Sequence, residues 1–258
     1  MTSASVPPRS LAAVVHDGQH DTVAVEEPLE IRVDGEALAV TMRTPGHDEE
    51  LALGFLYGEG LIDGMRWAGL TDDLANNTIV VGGPLIRPAS ARSFYTTSSC
   101  GVCGKGAIEA VNVHSARLAD ELREPLERSL LADLPNRLEQ PGFTCTGGLQ
   151  ATGLFNTRGE VLCVREDVGR HNAMDKVIGW ALGCGLLPLH DHLLCVSGRL
   201  SFELVQKAAV AGAPVLVGVG APTSLAIELA RDRNLTLCGF ARQGRLNVYT
   251  APQRVKQV

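Results

Sequence analysis

The sequence has 258 residues, of which 45% are hydrophobic, and a formal net charge of −6 at pH 7. It contains no run of lysine and arginine, so a broad nucleic-acid surface, which needs a basic face, is not expected. No apolar run approaches the roughly 18 residues that span a bilayer, and the first residues lack the apolar stretch of a secretory signal, so we expect a cytoplasmic protein with no membrane segment.

The first part of the chain is predicted to form a β-hairpin and helix unit at 21–90, after a flexible N-terminus at 1–20. Apolar and polar residues alternate over 23–42, and Asp34-Gly35 supplies the residue types of a tight hairpin turn. The next segment begins with acidic residues and continues with apolar residues at helical spacing, a pattern that is typical of a helix. The predicted elements are, in chain order, a hairpin over 23–42, a helix over 47–60, strands over 78–81 and 92–97, and a helix over 107–122.

The remainder of the chain, 91–250, is predicted to be an α/β core, followed by a short C-terminal tail at 251–258. Short apolar segments alternate with helical patterns, which is typical of βαβ units around a buried and partly parallel sheet. The fold class is therefore α/β, with a mixed sheet, flanking helices and the N-terminal hairpin unit. The predicted elements are a helix with a connection over 125–141, strands over 149–155, 161–164, 193–196, 215–219 and 235–240, and helices over 171–183, 202–211 and 224–232.

Cys100 and Cys103 form a C-x-x-C pair that is flanked by glycines and followed by Lys105. Small hydroxyl residues precede the pair, so a helix beginning here would direct free N–H groups at Cys100 and stabilise its thiolate. A single pair of this kind is compatible with redox chemistry, metal binding and sulfur transfer, and it does not choose among them.

Zinc hydrolysis is one of these alternatives, because His47 and Glu49 form an H-x-E sequence ahead of the C-x-x-C pair. Zinc deaminases carry proline before the first of the two cysteines, whereas this chain has Ser99 there. His47 is more simply interpreted as a residue at the start of a helix.

The seven cysteines are an odd number, and several lie apart from the pair. Cys163, Cys195 and Cys238 lie in strand-like apolar runs, so we expect them to be small buried hydrophobic residues. A disulfide framework is not expected in a chain of this size without a secretory signal.

Several strand-to-helix junctions carry groups that suit an anion. Arg170 and His171 lie in a charged segment before a helix, where either could donate to an anion or a thiolate. Ser197 and Arg199 follow one buried strand and Thr223 follows the next, so free N–H groups at each helix start would face the carboxyl edge of the sheet. Solvated charge clusters are the alternative interpretation of these junctions.

The last predicted core strand ends in a glycine turn with two arginines. Two guanidinium groups so spaced could hold phosphates, and the neighbouring aromatic and amide side chains could contact a base. An exposed basic turn is the alternative. The segment comprises Phe240, Ala241, Arg242, Gln243, Gly244 and Arg245.

Together these motifs closely resemble those of the formate dehydrogenase accessory sulfurtransferases (FdhD-type). The resemblance extends over roughly residues 20–250 and includes the stretch Thr44-Pro45-Gly46. It implies a core similar to the cytidine deaminase fold, without the deaminase chemistry, and a homodimer. The matching segments are 96–105, 165–179, 197–212, 221–230 and 239–249.

The resemblance also implies a sulfur carrier that formate dehydrogenase requires for activity. A cysteine desulfurase would donate sulfur as a persulfide on Cys100, Cys103 would assist or resolve it, and segment 240–245 would hold the cofactor. That cofactor is bis-molybdopterin guanine dinucleotide with molybdenum or tungsten, carried for the client formate dehydrogenase, and no tightly bound metal of the protein's own is implied. Gln150 departs from the family pattern, in which many members have histidine, so an imidazole role at this position is not implied.

Two other hypotheses remain. A cofactor-binding chaperone would hold the same cofactor with segment 240–245 and would not need its thiols. A zinc or thiol-redox enzyme would use Cys100 and Cys103 directly.

Overall fold

The computed structural model describes residues 6–70, 77–87, 94–96, 115–119, 122 and 124–256. Its strands are β1 Leu11–His16, β2 Gln19–Ala24, β3 Glu27–Val33, β4 Glu36–Arg43, β5 Ala68–Gly69, β6 Thr78–Val81, β7 Phe94–Thr96, β8 Gln150–Asn156, β9 Val161–Asp167, β10 His192–Val196, β11 Val215–Gly218, β12 Thr236–Arg242 and β13 Arg245–Val248. Its α-helices are α1 Asp48–Gly58, α2 Arg128–Asp133, α3 Pro141–Thr146, α4 Arg170–Gly183, α5 Phe202–Val210 and α6 Ser224–Asp232.

The N-terminal unit is built on the predicted hairpin. Strands β3 and β4 pair antiparallel, and the turn between them places Asp34 at φ 49° and Gly35 at φ 88°. Positive φ at both central residues is the type I′ geometry that matches the twist of the strands. The sheet of described strands runs β5-β6-β3-β4-β7, and α1 packs apolar residues such as Leu51 and Leu56 against it. The predicted hairpin, helix and strands of this unit are confirmed.

The expected unit boundary at residue 21 differs from the structure. Strands β1 and β2 form an antiparallel hairpin that runs from Leu11 to Ala24, so part of the segment 1–20 is regular secondary structure rather than a flexible lead. The two strands alternate weakly in hydrophobicity and expose most of their residues, which explains why the sequence pattern did not indicate them.

Six described strands form the core sheet, in the order β13-β12-β11-β10-β8-β9. The three central neighbours β10, β11 and β12 are parallel, as the alternation of strands and helices predicted, and the other pairs are antiparallel. Leu194, Leu216 and Leu237 face a core shared with α4, α5 and α6. Residues of the opposite register, such as Cys195 and Val217, face a second core. The mixed α/β fold class is therefore confirmed.

One further expectation needs correction. The helix predicted over 107–122 does not extend through 115–119, which is irregular, and the earlier part of that range lies outside the described residues. The C-terminal tail contains a 3₁₀ helix at Pro252–Arg254, and the buried Arg254 donates hydrogen bonds to the Asn234 carbonyl (2.7 Å) and Thr236 Oγ1 (3.1 Å). The end of the chain is thus packed into the core.

The N-terminal unit is joined to the core at a close helix crossing. Helices α1 and α4 meet at Gly54 and Gly179, where a Cβ on Gly54 would lie 1.8 Å from the Asp175 carbonyl oxygen and one on Gly179 would lie 1.9 Å from that of Glu50. Only residues without a side chain allow this approach. None of the helices in the described part of the chain is long and apolar enough to cross a membrane.

A buried ion pair lies beside this crossing. Lys176 Nζ is 2.7 Å from Asp167 Oδ2 and donates to the Thr44 carbonyl at 2.9 Å. Asp167 also accepts from the backbone N–H of Thr44 and of Gly169. Asn172 adds a hydrogen bond to the Met42 carbonyl at 2.7 Å. These bonds fix the end of β4 against the start of α4.

Candidate functional site

Two loops and the end of a strand meet at the carboxyl ends of the parallel strands. The loop after β10 contains Gly198, the loop after β11 contains Gly220, and the last part of β12 contains Phe240. The N–H of Gly220 donates to the Gly198 carbonyl at 3.0 Å, and the N–H of Phe240 donates to the Gly220 carbonyl at 3.2 Å. Because each segment bonds to the next, the three form one continuous surface at the edge where α/β folds bind ligands.

The glycines of this surface are sterically required. A Cβ on Gly220 would lie 2.9 Å from both the backbone N and the Cα of Arg199, and one on Gly239 would lie 3.0 Å from Pro222 Cδ and 3.2 Å from the Tyr249 ring. Gly220 is partly exposed, so its lack of a side chain leaves backbone accessible at this edge, whereas Gly239 is buried and allows Pro222 and Tyr249 to pack closely.

The hairpin between β12 and β13 presents the predicted pair of arginines. Gln243 (φ 52°) and Gly244 (φ 74°) form its two-residue turn, and Arg242 lies directly opposite Arg245 in the antiparallel register. Both side chains are exposed, and neither forms an ion pair with any residue that the structure describes. Like charges directly opposite each other destabilise a strand pair, so this hairpin end suits an anion.

Phe240 has an unusual backbone conformation. The φ angle of Phe240 is 54°, and 48% of the residue's surface is exposed. Phe240 lies where the register between β12 and β13 shifts. A bulky residue with left-handed φ is rare and costs roughly 1 kcal/mol or more, so such positions often belong to binding sites. The neighbouring Ala241 is instead fully buried and anchors the hairpin in the core.

Ser197 and Gln150 have local packing partners. Ser197 Oγ accepts a hydrogen bond from the Ala151 N–H at 2.8 Å, which ties its loop to β8. Gln150 packs against Gly198, because a Cβ added at Gly198 would lie only 2.5 Å from Gln150 Oε1. Arg199, by contrast, is exposed on the same loop and is available to a ligand.

Thr223 occupies the N-cap of α6, and its side chain accepts a hydrogen bond from the Ala226 N–H at 3.3 Å. Ser201 occupies the N-cap of α5, but its side chain makes no capping bond there. We therefore expect Thr223→Ala to lower the free energy of unfolding by about 1 kcal/mol, the usual effect of losing a cap. Ser201→Ala should change it by only a few tenths, and urea denaturation of the two variants tests this contrast. Equal losses would contradict it.

Arg170 and His171 begin α4, as predicted. Arg170 Nε is buried and has no hydrogen-bond partner within the described part of the chain. His171 Nε2 lies 3.4 Å from Ser201 Oγ and 3.7 Å from Glu203 Oε2. The starts of α4 and α5 are therefore joined by these side chains, and neither Ser201 nor Glu203 was indicated by the sequence pattern.

The charged residues further along α4 are not the surface pair that their adjacency suggests. Asp175 and Lys176 are both buried, and each pairs with another element. Lys176 pairs with Asp167, whereas Asp175 lies 2.9 Å from Lys207 of α5. Burial raises the pKa of Asp175 to about 6, which the nearby Lys207 only partly offsets. These residues are internal links between elements.

The predicted thiols divide into two groups. Cys163, Cys195 and Cys238 are buried, as expected, and burial raises the pKa of Cys163 and of Cys238 to about 12. Such thiols are unreactive. Cys100 and Cys103 lie outside the described residues, so their predicted role stays a prediction.

His47 bears on the zinc alternative. It lies in the left-handed region (φ 59°) just before α1, and its Nδ1 is 3.6 Å from Glu50 Oε2. Burial lowers its pKa, as does the charge of Arg165. Within the described ranges no three metal-ligating side chains form a cluster. His47 therefore lies at the start of α1, as expected, and the two cysteines of the zinc alternative lie outside the described residues.

Comparison with protein families and known proteins shows which family the chain belongs to. The family model described as "FdhD/NarQ family" matches residues 24–256. The chain is 48% identical over 251 residues to "Sulfur carrier protein FdhD" of Nocardia farcinica, covering 93% of this chain and 90% of that protein. It is 50% identical over 252 residues to the protein of the same name from Streptomyces coelicolor, covering 91% and 89%.

The fold comparison agrees with this result. A crystal structure described as a "putative formate dehydrogenase accessory protein" from Desulfotalea psychrophila superposes with a TM-score of 0.72 and 27% identity, covering 95% of this chain and 97% of that one. The family match includes nearly all of the described core, with its glycine loops and arginine hairpin. The chain belongs to the FdhD/NarQ family.

Proposed function

We propose that this protein is a sulfur carrier in the maturation of formate dehydrogenase, with Cys100 as the persulfide-bearing thiol. The observation that carries the proposal is that relatives named as sulfur carriers match about nine tenths of the chain at 48–50% identity. The C-x-x-C pair supplies the nucleophilic thiol that such a role needs.

The loading step is thiol exchange. The Cys100 thiolate attacks the outer sulfur of a persulfide on the donor, a cysteine desulfurase. An S–S bond forms to Cys100, the donor's S–S bond breaks, and the donor cysteine leaves as a thiolate. No external oxidant or reductant is needed, because the sulfane sulfur keeps its oxidation state.

Cys103 acts as the reductant in the release step. Its thiolate attacks the inner sulfur of the Cys100 persulfide, and the terminal sulfur leaves as sulfide while a Cys100–Cys103 disulfide forms. The two cysteines are oxidised and the sulfane sulfur is reduced, so the step balances. A cellular thiol then restores the pair.

The cargo is proposed to be the molybdenum or tungsten bis-molybdopterin guanine dinucleotide, held at the carboxyl edge. The fit rests on the glycines whose Cβ positions would meet backbone, and on Arg242 and Arg245, which face each other without an acidic partner among the described residues. Backbone N–H groups and two guanidinium groups suit the phosphates of a dinucleotide. Formate dehydrogenase would receive the loaded cofactor, in the cytoplasm, from a homodimer of the carrier.

Peptide mass spectrometry tests the thiol half of the proposal. The protein is incubated with a cysteine desulfurase and cysteine, and the peptide that contains Cys100 is measured. We expect one added sulfur that is lost on reduction and is absent from Cys100→Ala. Normal maturation of formate dehydrogenase by Cys100→Ala would instead support the alternative, a cofactor-binding chaperone whose thiols are dispensable.

Binding of GDP tests the cargo half separately. Arg242→Ala and Arg245→Ala should each weaken GDP binding by about tenfold or more, the usual effect of losing a charge-assisted hydrogen bond to phosphate. Arg231→Ala is the control, because Arg231 is exposed in the last turn of α6, at the end opposite to the site. Isothermal titration calorimetry measures all three. Equal affinity in every variant would remove the arginine pair from the site.

A further inference from the structure

We propose that Asn247 and Tyr249 form the subsite for the guanine base of the proposed cofactor, next to the phosphates at Arg242 and Arg245. This inference rests on the proposed function and assigns the base, the uncharged part of the nucleotide, to residues that the proposed function does not use. It is carried by the register of the β12–β13 hairpin, by the packing around Gly239 and by the exposure of β13.

The register of the hairpin places its exposed polar residues on one face. Residues two apart on a strand share a face, so Arg245 and Asn247 lie on the same side of β13. Asn247 is directly opposite Gly239, and Arg245 is directly opposite Arg242. Residues that lie opposite each other on paired strands also share a face, so these four positions belong to one surface.

A bulge in β12 allows this arrangement. Gly239 and Arg242 are three positions apart, which in a regular strand would place them on opposite faces. The register shifts between these two residues, and β12 has one residue more than β13 over the same stretch. One extra residue restores the common face. Phe240 lies within the bulge, where a left-handed φ such as its 54° is a known geometry.

The loop before α6 approaches the same face. A Cβ on Gly239 would lie 3.0 Å from Pro222 Cδ, 3.2 Å from the Gly220 carbonyl oxygen and 3.2 Å from Tyr249 Cε2. The rings of Pro222 and Tyr249 therefore meet over Gly239. The backbone of Tyr249 is fixed by its N–H, which donates to the Leu237 carbonyl at 2.9 Å. Because Gly220 takes part, this face is continuous with the surface at the carboxyl ends of the strands.

Asn247 and Tyr249 have the chemistry that suits a base. Asn247 is exposed and Tyr249 is partly buried, so the amide is accessible while the ring is supported by packing. Asn247 Nδ2 lies 3.5 Å from the Tyr249 hydroxyl, which shows that the two side chains are neighbours. An aromatic ring can stack on a base, and an amide oxygen can accept a hydrogen bond from an exocyclic amino group. Both side chains are uncharged, which favours a base over a phosphate at this position.

The spacing along β13 fits a single nucleotide. Two residues of an extended strand advance about 7 Å, so Asn247 lies one short step further from the hairpin turn than Arg245. The ribose that joins the phosphates to the base bridges a gap of this order. Gln243, the other amide that could contact a base, belongs to the turn itself and lies beyond the arginine pair, away from Gly239.

The alternative interpretation is that Tyr249 only covers Gly239. An aromatic ring over a glycine compensates for the missing side chain of a strand, and this role needs no ligand. The two interpretations differ in the part that they give to Asn247. An exposed amide contributes little to stability, so Asn247→Ala changes nothing if the cover is structural, whereas the base subsite predicts a loss of affinity.

Isothermal titration calorimetry of the full chain with GDP, inosine diphosphate and inorganic pyrophosphate tests the inference. Inosine diphosphate lacks the exocyclic amino group of guanine, and pyrophosphate lacks the base. Asn247→Ala should weaken GDP binding about fivefold, the usual effect of one lost hydrogen bond, and leave the other two affinities unchanged. Tyr249→Leu should weaken both nucleotides about tenfold through lost stacking, and Tyr249→Phe, which keeps the ring, should bind them much more tightly than Tyr249→Leu.

Gln19→Ala is the control, because it removes an exposed amide from β2 in the N-terminal hairpin and should leave all three affinities unchanged. An Asn247→Ala protein that binds GDP like the parent, or that loses pyrophosphate affinity to the same extent, would overturn the inference. A loss of GDP affinity confined to Gln243→Ala would place the base at the hairpin turn and would overturn it as well. A parent protein that binds neither GDP nor pyrophosphate would contradict the proposed cargo itself.

Discussion

Replacement of Gly179 by alanine is expected to lower the free energy of unfolding by about 3 kcal/mol, at the upper end of the overpacking range. The new Cβ would lie 1.9 Å from the Glu50 carbonyl oxygen, which is backbone and cannot rotate away. Helices α1 and α4 would have to separate, which would also disturb the reciprocal contact of Gly54 with the Asp175 carbonyl. The N-terminal unit would lose its close packing on the core.

The same helix contains a matched control. Gly183 is the last residue of α4, and a Cβ there would meet nothing within 4 Å. Gly183→Ala should therefore be neutral or stabilise the protein by up to about 1 kcal/mol, because alanine is the better helix former. Urea denaturation measures both variants. Similar stability of Gly179→Ala and Gly183→Ala would show that the crossing tolerates a side chain.

Removal of the cation from the buried ion pair should have an equally large effect. Lys176→Met would leave Asp167 without its partner in a site where both side chains are at most 1% exposed. Breaking a buried pair in this way costs about 3–5 kcal/mol, since one charge remains uncompensated. The Thr44 carbonyl would lose its hydrogen bond as well.

Lys256→Met is the control for this variant. Lys256 forms an ion pair with Glu127 at 2.6 Å, but both side chains are at least half exposed. Pairs of this kind contribute about 0–1 kcal/mol, so the control should unfold close to the parent. A Lys176→Met protein as stable as Lys256→Met would mean that the charge of Asp167 is neutralised by other means.

The sequence predicted the parts of the fold that depend on local pattern. Asp34-Gly35 specified its turn, and the apolar strands of the core were placed to within a few residues, because buried strands and amphipathic helices have distinct periods. The loops at Gly198 and Gly220 were placed at the correct edge for the same reason, since parallel strands present their carboxyl ends together.

The remaining features depend on contacts between distant residues. In the sequence, Asp167 and Lys176 are typical of a solvated charge cluster, but in the fold both residues are buried. Ser201 approaches His171 across 30 positions, and no pattern in either segment indicates the other. The exposed hairpin at Leu11–Ala24 lacks the strong alternation that indicates a strand. Such pairings follow from tertiary packing and could not be predicted from propensity.

The surface at the carboxyl ends of the parallel strands exists only in the folded protein. Gly198, Gly220 and Phe240 come from three stretches of chain, and a backbone hydrogen bond joins each of these stretches to the next. A nascent or partly unfolded chain contains every one of these residues but not the surface that they form together. In the proposed role, only the fully folded protein would offer this edge to the cofactor, so an unfolded carrier would be excluded from the transfer by its own lack of structure.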